Sequence, residues 1–253
     1  MFTPFAFIKS AAVVSTWTPA DLTNVLYWWY TGAGVTTSGT GVTAWEDQIT
    51  SRTLSVEAGT PMIYNAADSQ FNNLPSIYNS GSNATLVNAL LTGDIASGDP
   101  FTQIWIGKPN TVGSATYAIW GGETSTGAAA SELAPYTSGP DAADVPGYYR
   151  FAYDGSGRTN TTAVTSGGSL IYHIVAVDTP NGVISQYWNS TTVNQSSTLS
   201  FNSADRVPFR WEIGGYTNAL KYQGFILECI VMKALPTAQE LSDINTYVQN
   251  TYA

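Results

Sequence analysis

The chain has 253 residues, of which 11% are charged and 13% aromatic, and a formal net charge of −9. Nine Lys and Arg without a basic cluster exclude the phosphate-neutralising surface of a nucleic-acid binder and disfavour anionic membranes as partners. The length suits one large β domain that buries its core without cross-links, and the single cysteine, Cys229, excludes an internal disulfide and a cysteine-rich zinc site.

Met1 to Ser15 opens without a positive residue, and Lys9 splits its apolar run, which is not the layout of a secretory signal. No stretch approaches the length and apolarity of a spanning helix. Phe2, Phe5, Phe7 and Ile8 are much apolar surface for a terminal segment, so residues 1–16 are read as an anchoring tail that docks on another protein or subunit. A strand folded onto its own domain is the other reading. From residue 17 to 253 no repeat or sharp linker divides the chain, and one domain is expected.

Thr16-Trp17-Thr18-Pro19 predicts a short capped turn of helix, because proline at an early helical position forfeits no hydrogen bond. Leu26 to Tyr30 is an aromatic strand with Tyr27 and Trp29 on one face and Leu26, Trp28 and Tyr30 on the other. Gly32, Gly34, Gly39 and Gly41 punctuate a loop before Val42-Thr-Ala-Trp45. Asp68 to Leu74 and Asn79 to Ala84 read as turns, and Phe101 to Gly107 as a strand. Between Gly121 and Pro146 the chain is rich in Gly, Ala, Ser and Pro without periodicity, predicting a long loop of the kind that often carries function. Tyr148 to Tyr153 alternates again, and Asp154-Gly-Ser-Gly157 is a turn between antiparallel strands. Phe225 to Met232 is too short and β-branched for a favoured helix and predicts a buried strand. Glu228 inside it needs a partner, because an unpaired buried carboxylate is expensive. Thr237-Ala-Gln-Glu240 fits a capping box, and Leu241, Ile244, Val248 and Tyr252 form one helical stripe.

The order of these pieces resembles the laminin-G-like, concanavalin A-type jelly rolls over roughly residues 17 to 253. In that family a strand carrying Gly-x-Ile-x-Glu precedes a Leu-(Ser/Thr)-x-x-Glu helix. The matches here are Gly224-Phe-Ile-Leu-Glu228 and Leu235-Pro-Thr-Ala-Gln-Glu240, with Pro236 added. Tyr172-His-Ile-Val-Ala-Val-Asp178 and Tyr187-Trp-Asn-Ser190 resemble its central hairpin, with Ser190 where the family usually has Gly. The resemblance implies an all-β antiparallel sandwich closed by a short C-terminal helix.

Chemistry is sparse by pattern. A retaining glycosidase needs two carboxyl groups about 5 Å apart, and on one strand the glucanase pattern Glu-x-Asp-x-x-Glu places them; no Glu-x-Asp occurs, and the adjacent Glu46 and Asp47 point to opposite faces of a strand. The chain lacks a Gly-x-Ser-x-Gly elbow and phosphate-cradling glycine motifs. Cys229 and the lone His173 sit in apolar strand patterns and read as buried structural residues. Asp141, Asp144, Asp154 and Asp178 can offer oxygen ligands to calcium, although loop aspartates ordinarily make turns; no metal or other cofactor is predicted.

Aromatic rings beside Asn, Ser and Thr suit sugars, whose C–H faces lie on π surfaces while their hydroxyls bond amides. Trp120, Tyr136, Tyr148, Trp188 and Asn189 are the candidate glycan contacts. The sequence-level expectation is a non-enzymatic structural protein of a phage particle, a decoration, fibre or tail module. It would be held to other virion proteins by its tail, expected by analogy to be a homo-oligomer, and used for host-glycan adhesion or reinforcement. The alternatives are a secreted or cell-surface lectin and, behind it, a glycoside hydrolase.

Overall fold

The structure, a computed structural model, describes residues 17–57, 59–81, 86–89, 95–96, 98–110, 117–118, 120–123, 132–137, 149–153, 157–160, 169–198, 210–216 and 220–252. It is mostly antiparallel β-structure with one α-helix at its end, Ala238–Tyr252. In one sheet Val25–Tyr30, Gln223–Met232, Phe101–Pro109, Ile171–Asp178, Val183–Trp188 and Gln195–Thr198 lie side by side, each antiparallel to the next. A second series runs Gly41–Glu46, Thr53–Val56, Leu86–Ala89, Arg210–Ile213, Trp120–Glu123 and Glu132–Thr137. Apolar side chains of both series close into one core: Tyr27, Trp29, Trp105 and Val231 from the first meet Trp45, Leu54, Trp211 and Ile213 from the second. This is a β-sandwich, as two-residue alternation along each strand dictates.

The central strands are apolar on both faces because a third layer covers the first sheet. Ile104, Ile106, Ile174 and Ile230 pack with Leu241, Ile244, Val248 and Tyr252 of the helix, the stripe that helical spacing predicted. The capping box holds: Glu240 Oε2 accepts from the Thr237 N–H at 2.7 Å and its own N–H bonds Thr237 Oγ1 at 3.2 Å. Its other oxygen accepts from the Thr23 N–H at 2.7 Å, tying the helix start to the beginning of the sandwich.

Glu228 finds its partners under this helix. The pairing of Gln223–Met232 with Phe101–Pro109 shifts register between Ile226 and Glu228, a bulge that re-aims a side chain. Leu227 and Glu228 consequently both serve the helix-facing side, whereas Cys229 returns to the sandwich core. The Glu228 carboxylate accepts from Trp28 Nε1 at 2.5 Å, Tyr247 Oη at 2.7 Å and Tyr252 Oη at 2.5 Å.

Four expectations change. Leu26 packs with Tyr27 and Trp29 in the sandwich core rather than across from them, because the register shifts between Val25 and Tyr27. The glycine loop before Val42 contains a strand, Val35–Ser38. Asn79 lies in the strand Leu74–Ser80 instead of a turn, its amide bonding the Gly214 carbonyl at 2.8 Å and the Gly81 N–H at 2.8 Å. The stretch from Gly121 to Pro146 holds paired strands, Trp120–Glu123 and Glu132–Thr137: backbone pairing on both edges needs no side-chain periodicity.

Two buried titratable groups occupy opposite faces of the first sheet. Burial pushes Glu228 up to about 7 from 4.5 despite its three donors, and brings His173 down to about 4 from 6.5 despite its bond to Gln186. Between pH 4.5 and 6.5 the unfolded chain has released the Glu228 proton that the fold retains. That contribution, full below 4.5, falls by about 1.4 kcal/mol per pH unit and is lost above 7. His173 behaves oppositely: its contribution is full above 6.5 and is lost as pH falls through 4. Relative to the native chain, Glu228→Gln should therefore add a rising slope to stability against pH in this window, and His173→Gln a falling one. Urea unfolding at stepped pH measures both, and unchanged slopes would contradict the assignment. Gly224 has φ +140°, and a Cβ there would stand 2.4 Å from the Lys108 carbonyl oxygen. Gly224→Ala should lower stability by about 2 kcal/mol or more, read from the same curves.

Candidate functional site

The inner face of the first sheet carries polar groups where a sandwich core is ordinarily apolar. Alternation along Phe101–Pro109 sends Phe101, Gln103 and Trp105 inward together. Register then extends each position across the strands. Trp29 stands opposite Cys229, Cys229 opposite Trp105, Trp105 opposite His173, and His173 opposite Trp188. One step along, Tyr27, Val231, Gln103, Val175 and Gln186 form a parallel row. Gln103, His173 and Gln186 are each buried to within 1%.

His173 Nε2 lies 2.9 Å from Gln186 Oε1, so the imidazole donates from Nε2 to the carboxamide oxygen. Burial keeps the ring neutral at neutral pH. Trp188, half-buried at the end of its strand, places its ring 5.2 Å from that of His173 at 51°. The set therefore offers amide, imidazole and indole groups without net charge, bordered by aromatic rings. Such a set can donate to and accept from hydroxyls while an apolar ring face rests on an indole.

Of the residues singled out by sequence, Trp188 belongs to this row. Asn189, beside it, takes φ +43° and its Oδ1 accepts from the Tyr172 N–H at 2.8 Å. It supplies a left-handed turn one position before Ser190. Trp120 is opposite Ile213 on the second series of strands, and Tyr136 pairs with Arg150 and Ala118. Tyr148, the tail residues Phe2, Phe5, Phe7 and Ile8, and Asp141, Asp144 and Asp154 lie outside the described residues. Gln103, Trp105 and Gln186 were missed, although one signal was present: a glutamine between Phe101 and Trp105 at an inward-facing position.

Asp178 closes a hairpin by accepting from Asn181, through the backbone N–H at 3.3 Å and the side-chain amide at 2.8 Å. Among the described residues no group of three or more His, Cys, Asp or Glu can hold a metal ion. Cys229 and His173 are both buried, and Trp105 lies between them in the row, so they form no thiol–imidazole pair. Burial, aided by Glu228, pushes the Cys229 thiol well above its ordinary value. Asp47 accepts from the Ile49, Thr50 and Arg52 N–H groups, and Asp68 from Gln70 and Ser76. These carboxylates organise loops.

No family model matches the chain, and no curated protein sequence matches it. Among solved structures it is similar to the Trypanosoma rangeli sialidase in complex with sialic acid, at 11% identity over 90% of this chain and 33% of that one, with a TM-score of 0.63. It is similar to domain 4 of AbnA, an extracellular GH43 arabinanase from Geobacillus stearothermophilus, in complex with arabinotriose: 12% identity, 89% of this chain, 100% of that one, TM-score 0.58. A GH54 α-L-arabinofuranosidase matches at 11% identity over 84% of this chain and 52% of its own, with a TM-score of 0.60. The chain thus spans about a third of the sialidase and the whole of the arabinanase domain. At these identities the likeness establishes the fold.

The expectation of a non-enzymatic phage virion protein is corrected here. The sandwiches that this one resembles occur in glycoside hydrolases, a likeness of fold that runs against the expectation, and nothing links the chain to a particle. The expectation failed because a missing Glu-x-Asp-x-x-Glu rules out one way of placing two carboxyl groups on one strand. Carboxyl groups from separate strands, or from separate domains, reach the same separation.

Proposed function

We propose that this chain is a glycan-engaging β-sandwich of a carbohydrate-active enzyme. The observation that carries the reading is the neutral, aromatic-bordered set made by His173 and Trp188 in one cross-strand row and Gln186 in the next, on the inner face of the sheet. Sugars present hydroxyls that both donate and accept, together with C–H faces that prefer aromatic rings, and such a set answers both. An acidic chain with few cations also suits a ligand held by hydrogen bonds rather than by charge. The complete overlap with an arabinanase domain in complex with arabinotriose supports a modular role within such an enzyme. Trp188, half-buried at the end of its strand, is the leading candidate contact, with Trp120 and Tyr136 as further candidates on the second series of strands.

The test measures two properties of the full chain on one panel of soluble polysaccharides: retardation in affinity electrophoresis and release of reducing ends. At least one polysaccharide should retard or be cleaved by the native chain. Trp188→Ala should weaken that interaction about tenfold, the loss of roughly 1.4 kcal/mol of aromatic contact, with the unfolding midpoint measured in parallel. Neither retardation nor release across arabinans, xylans, glucans, galactans and sialylated glycans would overturn the reading.

A further inference from the structure

The hairpin joining Ile171–Asp178 to Val183–Trp188 turns through Thr179-Pro180-Asn181-Gly182, which holds the only Asn-Gly step in the chain. Asparagine before glycine is chemically labile, because glycine has no Cβ to shield its backbone nitrogen from the neighbouring side-chain carbonyl carbon. Asn181 is exposed, and Gly182 takes φ +65°, a conformation that glycine holds without strain. The bonds around this step all reach back along the turn. Asp178 Oδ2 accepts from the Asn181 side-chain amide at 2.8 Å, and its Oδ1 accepts from the Asn181 backbone N–H at 3.3 Å. The Gly182 N–H donates to the Thr179 carbonyl at 3.2 Å.

We propose that Asn181 is a site of spontaneous deamidation whose rate Asp178 governs. In the reaction the Gly182 nitrogen gives up its proton to solvent base and bonds to Asn181 Cγ. The Cγ–Nδ2 bond breaks and ammonia leaves, closing a succinimide ring. Water then opens the ring: attack at Cγ leaves an α-linked aspartate, and attack at the backbone carbonyl of residue 181 leaves a β-linked isoaspartate. In the folded turn the leaving amide is held by Asp178 and the attacking nitrogen by Thr179, so the step proceeds only when both bonds open. The bond to Asp178 is exposed, and exposed bonds at a loop tip open at little cost. The product undoes the clamp. An aspartate at position 181 sets a second carboxylate against Asp178 where an amide donor stood, and an isoaspartate lengthens the backbone of the turn. Both work against the pairing of Asp178 with Val183 that starts the hairpin.

The experiment incubates the native full chain, Asp178→Ala and Asp178→Asn at neutral and at mildly alkaline pH, and follows each asparagine by peptide mass spectrometry. The native chain held in urea gives the rate without a fold. In the folded native chain Asn181 should convert before any other asparagine, faster at the alkaline pH, and faster again in urea. Asp178→Ala should raise the folded-state rate about threefold or more, the loss of one bond on an exposed turn. Asp178→Asn should raise it less, since a neutral acceptor remains. Asn189, which precedes Ser190 in the turn at the other end of the strand Val183–Trp188, is the internal control and should keep its native rate in both variants. An Asn181 that stays intact in the native fold, or that converts at the native rate in both variants, overturns the proposal. Acceleration at Asn189 in step with Asn181 in both variants overturns it as well, because it marks a general loss of structure in place of a local release.

Discussion

One buried carboxylate ties the first strand of the sandwich and the terminal helix to the sheet between them. Glu228 takes hydrogen bonds from Trp28 on the first strand of the sandwich and from Tyr247 and Tyr252 on the terminal helix, while its own strand is paired on both edges inside the sheet. The helix stripe would pack on any apolar sheet surface; the carboxylate makes one docking register better than its neighbours, because elsewhere a buried acid and two buried phenols would be left unpaired. Burial and the three donors pull the acid in opposite directions, and burial prevails. The arrangement thus favours one position of the helix at some expense in stability, as polar groups inside cores often do.

The two faces of the same sheet have solved their packing differently. Toward the helix, polar atoms come in matched sets: Glu228 with its donors, and the Tyr172 hydroxyl with Asn245 at 3.0 Å. Toward the facing strands, His173 bonds Gln186 through Nε2, and the rest of the face is dominated by buried aromatic rings. The two faces thus differ in kind: the helix-facing side is joined by polar contacts between distant segments, the inner side by packed aromatic rings.

Composition and site chemistry agree with each other. A surface with 11% charged residues solvates itself through hydroxyls and amides, and the inner row uses the same neutral vocabulary. Hydrogen bonding of that kind discriminates by position rather than by strength, which suits ligands distinguished by the orientation of hydroxyl groups. The likeness to sandwiches found in glycoside hydrolases is one of fold, and the residues of this chain supply the chemical argument.

Local rules were enough for the strands Phe101–Pro109, Ile171–Asp178 and Gln223–Met232, the capping box at Thr237 and Glu240, and the stripe ending at Tyr252, because alternation, helical spacing and caps are properties of neighbouring residues. The same rules located Glu228 as a residue in need of partners without naming them: Trp28 stands 200 positions away along the chain. They failed at Leu26, where a register shift moves a side chain to the other face, and across Gly121 to Pro146, where strands pair although the sequence shows no periodicity. Of the candidate site, Trp188 was legible from its type and setting. Gln103, Trp105 and Gln186 were not, since a row across strands exists only once register has been set. The sequence by itself determined an acidic, charge-poor sandwich with a capped terminal helix. Tertiary structure decided which polar side chains face inward together, because this depends on pairing between segments far apart in the chain.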